Sequence, residues 1–291
     1  MSFQDTSQYT LNTGDISQET SRLTVQHDVF VRMTGTLLPP EIAKHVSTIP
    51  NPKIADVATG TGIWARSISA LYPTARLDGY DFDTSKFPPE VASEKNGDAK
   101  VKLSHANILD LNTFPPEMVG QYDVVHVRLL IYALTKDEWP VAAKTLESLL
   151  KPGGWLLWEE SGWCSWVSLP PSKTWYQVVD NDVGFARKVG KDILFPLTLE
   201  KYIQSTGMTD LRTKIHSSLL LERQDEPKEV VIRTLHQTLR GIAERGGYGD
   251  IQSKADADEM IERLRKELLG EGNEDKLAGF EMKWVWGQKS G

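Results

Sequence analysis

A chain of 291 residues, 40% hydrophobic and 25% charged, suffices for one large domain or a domain with a cap, and its net charge of −7 sets an average field that repels nucleic acid. Cys164 is the only cysteine, which excludes an intramolecular disulfide framework and a cysteine-rich zinc site, so no metal is expected. No apolar run approaches the roughly 18–20 residues that span a bilayer, and the start MSFQDTSQYTLNTGD lacks a charged-then-apolar signal pattern. Those features predict a cytoplasmic protein whose partner is a small molecule, with no nucleic acid or membrane contact, as a monomer or homodimer.

Residues 1–15 are polar and read as a loose tail. Leu23, Val29, Phe30, Met33 and Leu37 then recur at spacings that predict an amphipathic helix from about 17 to 38. KIADVA reads as a buried strand, 61–72 as a helix, ARLDGYD as a second strand, VKLSHANI as a third and YDVVHVRLL as a fourth. A helix over 136–150 follows, then the turn signal KPGG and a fifth strand, GGWLLWEES. Strands alternating with helices predict an α/β fold of right-handed βαβ units with helices on both faces of a parallel sheet. Beyond 162 the pattern slackens into lid helices and a helix near 198–206. MTDLRTKIHSSLLL and FEMKWVWGQK alternate like strands, and between them 227–269 predicts two helices whose charge runs form solvated faces. The expected organisation is an N-terminal tail and cap helices over 1–50, a cofactor-binding core over 51–162, a lid insertion over 163–207, and last strands with a helical insertion over 208–291.

The chemistry concentrates in IADVATGTGIW, residues 54–64. In an open parallel sheet the ligand lies beyond the carboxyl ends of the strands. The first strand ends at Asp56 and Val57, and the turn through Ala58, Thr59, Gly60 and Gly62 lets backbone approach a ligand closely and aims a helix N-terminus at it. Asp81 closes the second strand, where a carboxylate can take both hydroxyls of a ribose. Gly60, Gly62 and Ala65 also satisfy a dinucleotide pattern, so an NAD(P)-dependent oxidoreductase competes. Asp56 weighs against it: a pyrophosphate is a poor neighbour for a carboxylate, whereas an ammonium group is a good one. An ammonium at one end and a ribose at the other describe S-adenosylmethionine.

ADVATGTGIWARSISALYPTARLDGYDFD, then GQYDVVHVRLL, then LLKPGGWLLWEE, resemble the class I S-adenosylmethionine-dependent methyltransferases, in particular the fungal secondary-metabolism group that includes gliotoxin-type thiol methyltransferases. That resemblance implies a Rossmann-like, seven-stranded, mostly parallel sheet with an antiparallel last strand, plus N-terminal and inserted lid helices. It implies that Asp56, Ala58, Thr59, Gly60 and Gly62 line the methionine part of the cofactor and Asp81 the ribose. Phe82 would pack on the adenine, with Asn107 and Ile108 at its edge; where many relatives carry an acid, Asn107 offers an amide oxygen. His126 and Arg128 would lie near the sulfonium and the methionine carboxylate, under a cap helix bearing Arg22, Gln26 and His27.

Methyl transfer needs alignment and exclusion of water. Five of the nine tryptophans fall within residues 155–175. Trp155 and Trp158 belong to a strand and read as core, while Trp163 and Trp166 follow its carboxyl end and, with Tyr132, are candidate acceptor contacts. Cys164 reads as a pocket-lining or inert buried thiol. Candidate bases are His126, Glu160 and His27. The resulting expectation is a methyltransferase acting on a small secondary metabolite, a thiol slightly ahead of a hydroxyl or amine, against the oxidoreductase above or a non-catalytic regulatory relative.

Overall fold

The structure is a computed structural model that describes residues 16–88 and 101–291. The tail predicted over 1–15 lies outside the described residues. Strand β1 (Lys53–Val57) is central and pairs in parallel with β2 (Arg76–Asp81) on one side and β4 (Tyr122–Arg128) on the other. β3 (Val101–His105) lies outside β2, and β5 (Leu150–Glu160) outside β4, both parallel. β8 (Leu277–Gln288) runs antiparallel beside β5 and carries β7 (Thr209–Ser217) on its other edge. Chain direction across the sheet reverses between β1 and β4, which opens a crevice above their carboxyl ends.

Alternation along the strands sorts the core into two layers. Ile54, Val124 and Leu157 pack on one face against α1 (Ile16–Thr34), α2 (Pro40–Thr48), α3 (Ile63–Leu71), α7 (Asp225–Glu244) and α8 (Lys254–Leu269). Ala55, Val125 and Leu156 pack on the other, against α4 (Trp139–Leu149) and α6 (Leu199–Gln204). Helix α5 (Lys173–Lys188) contributes Trp175 and Val178 to the first layer and Ala186 to the second.

Several expected boundaries move for local reasons. α4 begins at Trp139 and not at 136, because the Glu138 carboxylate accepts the Thr135 N–H and hydroxyl and turns the chain first. The N-terminal helix ends at Thr34, whose hydroxyl turns back on the Phe30 carbonyl, and Gly35 follows at φ +71°. The lid was expected to be helical throughout. It also holds β6 (Trp166–Leu169), which pairs with the first residues of β8 and makes the sheet eight-stranded where seven strands were expected. The solvated faces expected over 227–269 describe only the outside of α7: Val230, Val231, Leu235, Leu239 and Ile242 are buried on its inner side.

Candidate cofactor and acceptor site

A cavity of about 470 Å³ lies above the reversal point, within the range that small-molecule sites occupy. Its floor is the turn after β1. Ala58, Gly60 and Gly62 all have positive φ (57°, 59° and 72°), a conformation that brings backbone N–H groups round toward the crevice. Thr59 N–H bonds the Tyr80 carbonyl at 2.9 Å and Gly60 N–H bonds Asp81 Oδ2 at 2.7 Å, so the end of β2 holds the turn in shape. Asp81 Oδ1 accepts the Asp83 N–H at 2.8 Å. Burial raises the Asp81 pKa, with Lys86 and these two N–H groups pulling the other way.

Ala58, Thr59, Gly60 and Asp81 line the cavity, with Phe82, Asn107 and Ile108 at one end. Asn107 Oδ1 already accepts the Leu109 N–H at 3.0 Å, so one lone pair of the amide oxygen expected to meet adenine is engaged in its own turn. Arg128, at the end of β4, lines the cavity 3.2 Å from His27 Nδ1, with its guanidinium 5.7 Å from the Phe30 ring centre. Arg22 reaches in from α1, gripped by both Glu19 carboxylate oxygens at 2.8 and 2.9 Å.

Other expected contacts lie behind the wall. Asp56 and His126 are register partners on β1 and β4, and both point into the helical layer under α3. Asp56 Oδ1 meets His126 Nδ1 at 2.7 Å and Oδ2 accepts the Thr59 hydroxyl at 2.5 Å, so Asp56 braces the turn from below and does not face a ligand ammonium. The Gly62 requirement is likewise internal: a Cβ there would lie 3.0 Å from a Leu103 methyl, on a backbone at φ +72°. His27 does not line the cavity; its Nε2 meets Ser67 Oγ at 3.0 Å, and burial, then Arg128, push its pKa down to about 4. Glu160 is fully buried, accepting the Leu130 N–H at 2.7 Å and Trp158 Nε1–H at 3.0 Å, and burial lifts it to about 8. It supports the loop after β4, where Leu129 has φ +58°. None of the three candidate bases faces the cavity.

Leu130, Tyr132, Trp166, Val230, Thr234 and Phe280 also line the cavity. Tyr132 donates its hydroxyl to Asp182 at 2.9 Å. Trp163 stands behind it, with Nε1–H on the same Asp182 oxygen at 3.0 Å, so the acceptor contact expected of Trp163 is instead a wall support. Cys164, expected to be buried or pocket-lining, is exposed. The α7 and β8 contributions went unread in the sequence, although Val230 and Thr234 share a face at i, i+4.

A carboxylate beside a glycine turn, with Arg128 at a strand end and Arg22 on α1, matches a ligand carrying hydroxyls and a free carboxylate. Thr61 Oγ1 is buried in the lining without a protein partner, an orphan that a bound group would satisfy. Residues 54–154 match the family described as "Methyltransferase domain". That stretch of the chain, strands β1 to β5 with their connections, is similar to methyltransferase domains. It is 38% identical to "Methyltransferase grgD" of Penicillium sp over 56% of each chain, and 26% identical to "N-methyltransferase tcpN" of Claviceps purpurea over 88% of this chain and 90% of that one. The match thus spans little more than half of the first relative. Among solved structures, a phosphoethanolamine N-methyltransferase 2 of Haemonchus contortus holding S-adenosylhomocysteine superposes with a TM-score of 0.50 at 15% identity, covering 86% of this chain and 52% of that one. Among the described residues no His, Cys, Asp and Glu cluster is placed to hold a metal ion, and no helix is long and apolar enough to cross a membrane.

Proposed function

We propose that the chain methylates a nitrogen atom of a small, largely apolar secondary metabolite. The observation that carries this reading is one cavity lined both by polar groups, Asp81 and the glycine turn, and by aromatic ones, Trp166 and Phe280. When bound, the cofactor supplies an electrophilic methyl group. Asp81 would take the ribose hydroxyls, Phe82, Asn107 and Ile108 would bound the adenine, and Arg128 and Arg22 would meet the methionine carboxylate. Trp166, Phe280 and Tyr132 would orient the acceptor and keep water out, and alignment of this kind can supply about 7–11 kcal/mol of a barrier.

One consideration favours nitrogen over the thiol that the sequence resemblance put slightly ahead, and a second counts against a hydroxyl. The relative that aligns over most of the chain is named an N-methyltransferase. In addition, none of the expected bases lines the cavity, and a neutral amine carries its own lone pair whereas a hydroxyl needs a base. Incubation with methyl-labelled cofactor and a panel of amines, phenols and thiols, read by mass spectrometry, tests the assignment. A +14 product among the amines is expected; products confined to thiols would overturn the choice of nitrogen. Calorimetry showing NAD binding and no binding of S-adenosylhomocysteine would overturn methyl transfer itself.

A further inference from the structure

The His126 ring has no exposed surface. It stacks on Trp64 with centroids 3.7 Å apart and planes within 6°. It meets a carboxylate at each nitrogen: Asp56 Oδ1 lies 2.7 Å from Nδ1, and Glu159 Oε1 lies 3.4 Å from Nε2, an ion-pair separation without hydrogen-bond alignment. Asp56 and Glu159 are themselves only 2% and 3% exposed. Neither carboxylate nor the imidazole reaches the cavity, yet each is joined to a residue that does. Asp56 holds the Thr59 hydroxyl, and Glu159 faces Arg128, its register partner across β4 and β5.

We propose that His126 is a positioning residue, an imidazolium clamped between Asp56 and Glu159 that fixes Thr59 and Arg128 for the cofactor, so that cofactor affinity falls when its proton is removed. The charge balance requires the proton. Two buried carboxylates face two cations, His126 and Arg128; a neutral ring would leave one buried carboxylate unmatched. Burial alone lowers the His126 pKa, but the contacts with Asp56 and Glu159 outweigh it and the net shift is upward. The surrounding charged and titratable groups are Asp56 on β1, Arg128 on β4 itself, Glu159 on β5, His27 on α1 and Arg66 on α3. His27 does not compete for the proton, because burial and Arg128 keep it neutral. A histidine whose pKa is raised in the folded chain keeps its charge below the ordinary value near 6.5 and loses it as pH rises through the raised one. Weakening therefore belongs on the alkaline side.

The inference rests on the cofactor assignment above, and its test separates the two. S-adenosylhomocysteine is titrated calorimetrically into the wild-type chain and into His126→Gln between pH 6 and 10. The cofactor product's own amino group titrates in both proteins, so only the difference between them reports on His126. At pH 7 the variant is expected to bind about tenfold more weakly, and the wild type to lose that advantage at alkaline pH. Equal affinities with superimposable pH profiles would overturn the clamp. Nitrogen-15 spectra of histidine-labelled wild type supply a second reading that depends neither on folding of the variant nor on the cofactor. Both His126 ring nitrogens should carry protons at pH 7, and a neutral ring there would overturn the proposal. Failure of the wild type to bind S-adenosylhomocysteine, with a doubly protonated ring, would remove the cofactor assignment and with it the role claimed for the clamp.

Discussion

Asp81 serves turn and cavity in a single side chain, since its carboxylate accepts Gly60 N–H and Asp83 N–H while lining the cavity. Asp81→Ala removes both the ribose partner and the acceptor that holds Gly60, and is expected to weaken S-adenosylhomocysteine binding by roughly 1–3 kcal/mol in calorimetry. Unchanged affinity would reduce Asp81 to a turn residue. Glu160 gives a stability signature instead. Burial raises its pKa to about 8 and that of Asp182 to about 7, so the folded chain holds protons that the unfolded chain has already released. Stability contributed by such groups is complete below their unfolded values near 4 and is lost as pH rises through the folded ones. His27 has the opposite sign: its pKa is lowered to about 4, so its contribution grows as pH rises from about 4 to 6.5 and is constant above. Above pH 6.5 the two acids and His126, whose pKa is raised, all lose stabilisation as pH rises, and the melting temperature should fall. Glu160→Gln keeps an oxygen for the Leu130 and Trp158 N–H groups and places an amide where Oε2 has no partner, mimicking the protonated acid. It should melt with a shallower decline over that window; an unchanged slope would show that Glu160 is ionised in the folded chain.

At the scale of elements, the acceptor end is assembled from three pieces distant in sequence: β6 gives Trp166, α7 gives Val230 and Thr234, and β8 gives Phe280. The Thr234 hydroxyl is buried without a partner while its residue lines the cavity. Thr234→Val and Trp166→Ala should each raise the acceptor KM and leave cofactor affinity within about 0.5 kcal/mol, because neither residue touches the turn or Asp81. A large loss of melting temperature with unaltered KM would make Trp166 wall packing only. The turn that floors the cavity was legible because its geometry is local: a strand, a turn with positive φ and a second strand end leave adjacent signs in the chain. What the sequence misassigned was direction. Asp56 and Gly62 stand in the right loop, but side chains alternate along β1, so Asp56 points under the turn and Gly62 packs on Leu103. The far wall was not legible, since nothing in the run EVVIRTLHQTL says which helical face meets a cavity built by Leu130, Tyr132 and Trp166 well before it and Phe280 well after it. Trp163 and Trp166 are three residues apart and share composition and neighbourhood; only the short β6 pairing separates the one behind the wall from the one in it.

For the molecule as a whole, α1 roofs a cavity whose floor is the sheet. Leu23 reaches to 3.4 Å from where a Gly60 Cβ would stand, and Arg22 and Gln26 line the same space. A ligand bridging roof and floor stabilises the closed arrangement by mass action, about 2.7 kcal/mol at a hundred times its Kd. Limited proteolysis within residues 16–34 should therefore slow when S-adenosylhomocysteine is present, and equal cleavage rates would place the ligand outside the roofed space. The position of β8 has a consequence for biosynthesis. It pairs with β5, β6 and β7, all of which precede it, and it carries Phe280 into the site. On the ribosome β5 leaves the tunnel with its outer edge bare, and over a hundred residues separate Trp166 from its partner Phe280, about 6–20 s of synthesis at ordinary elongation rates. Throughout that interval the nascent chain displays unpaired backbone beside Trp155 and Trp158, the kind of edge that recruits other chains. A cell making this protein must shield that edge until the closing strand arrives, and a chain stopped before residue 277 would be a substrate for chaperones before it was ever a catalyst.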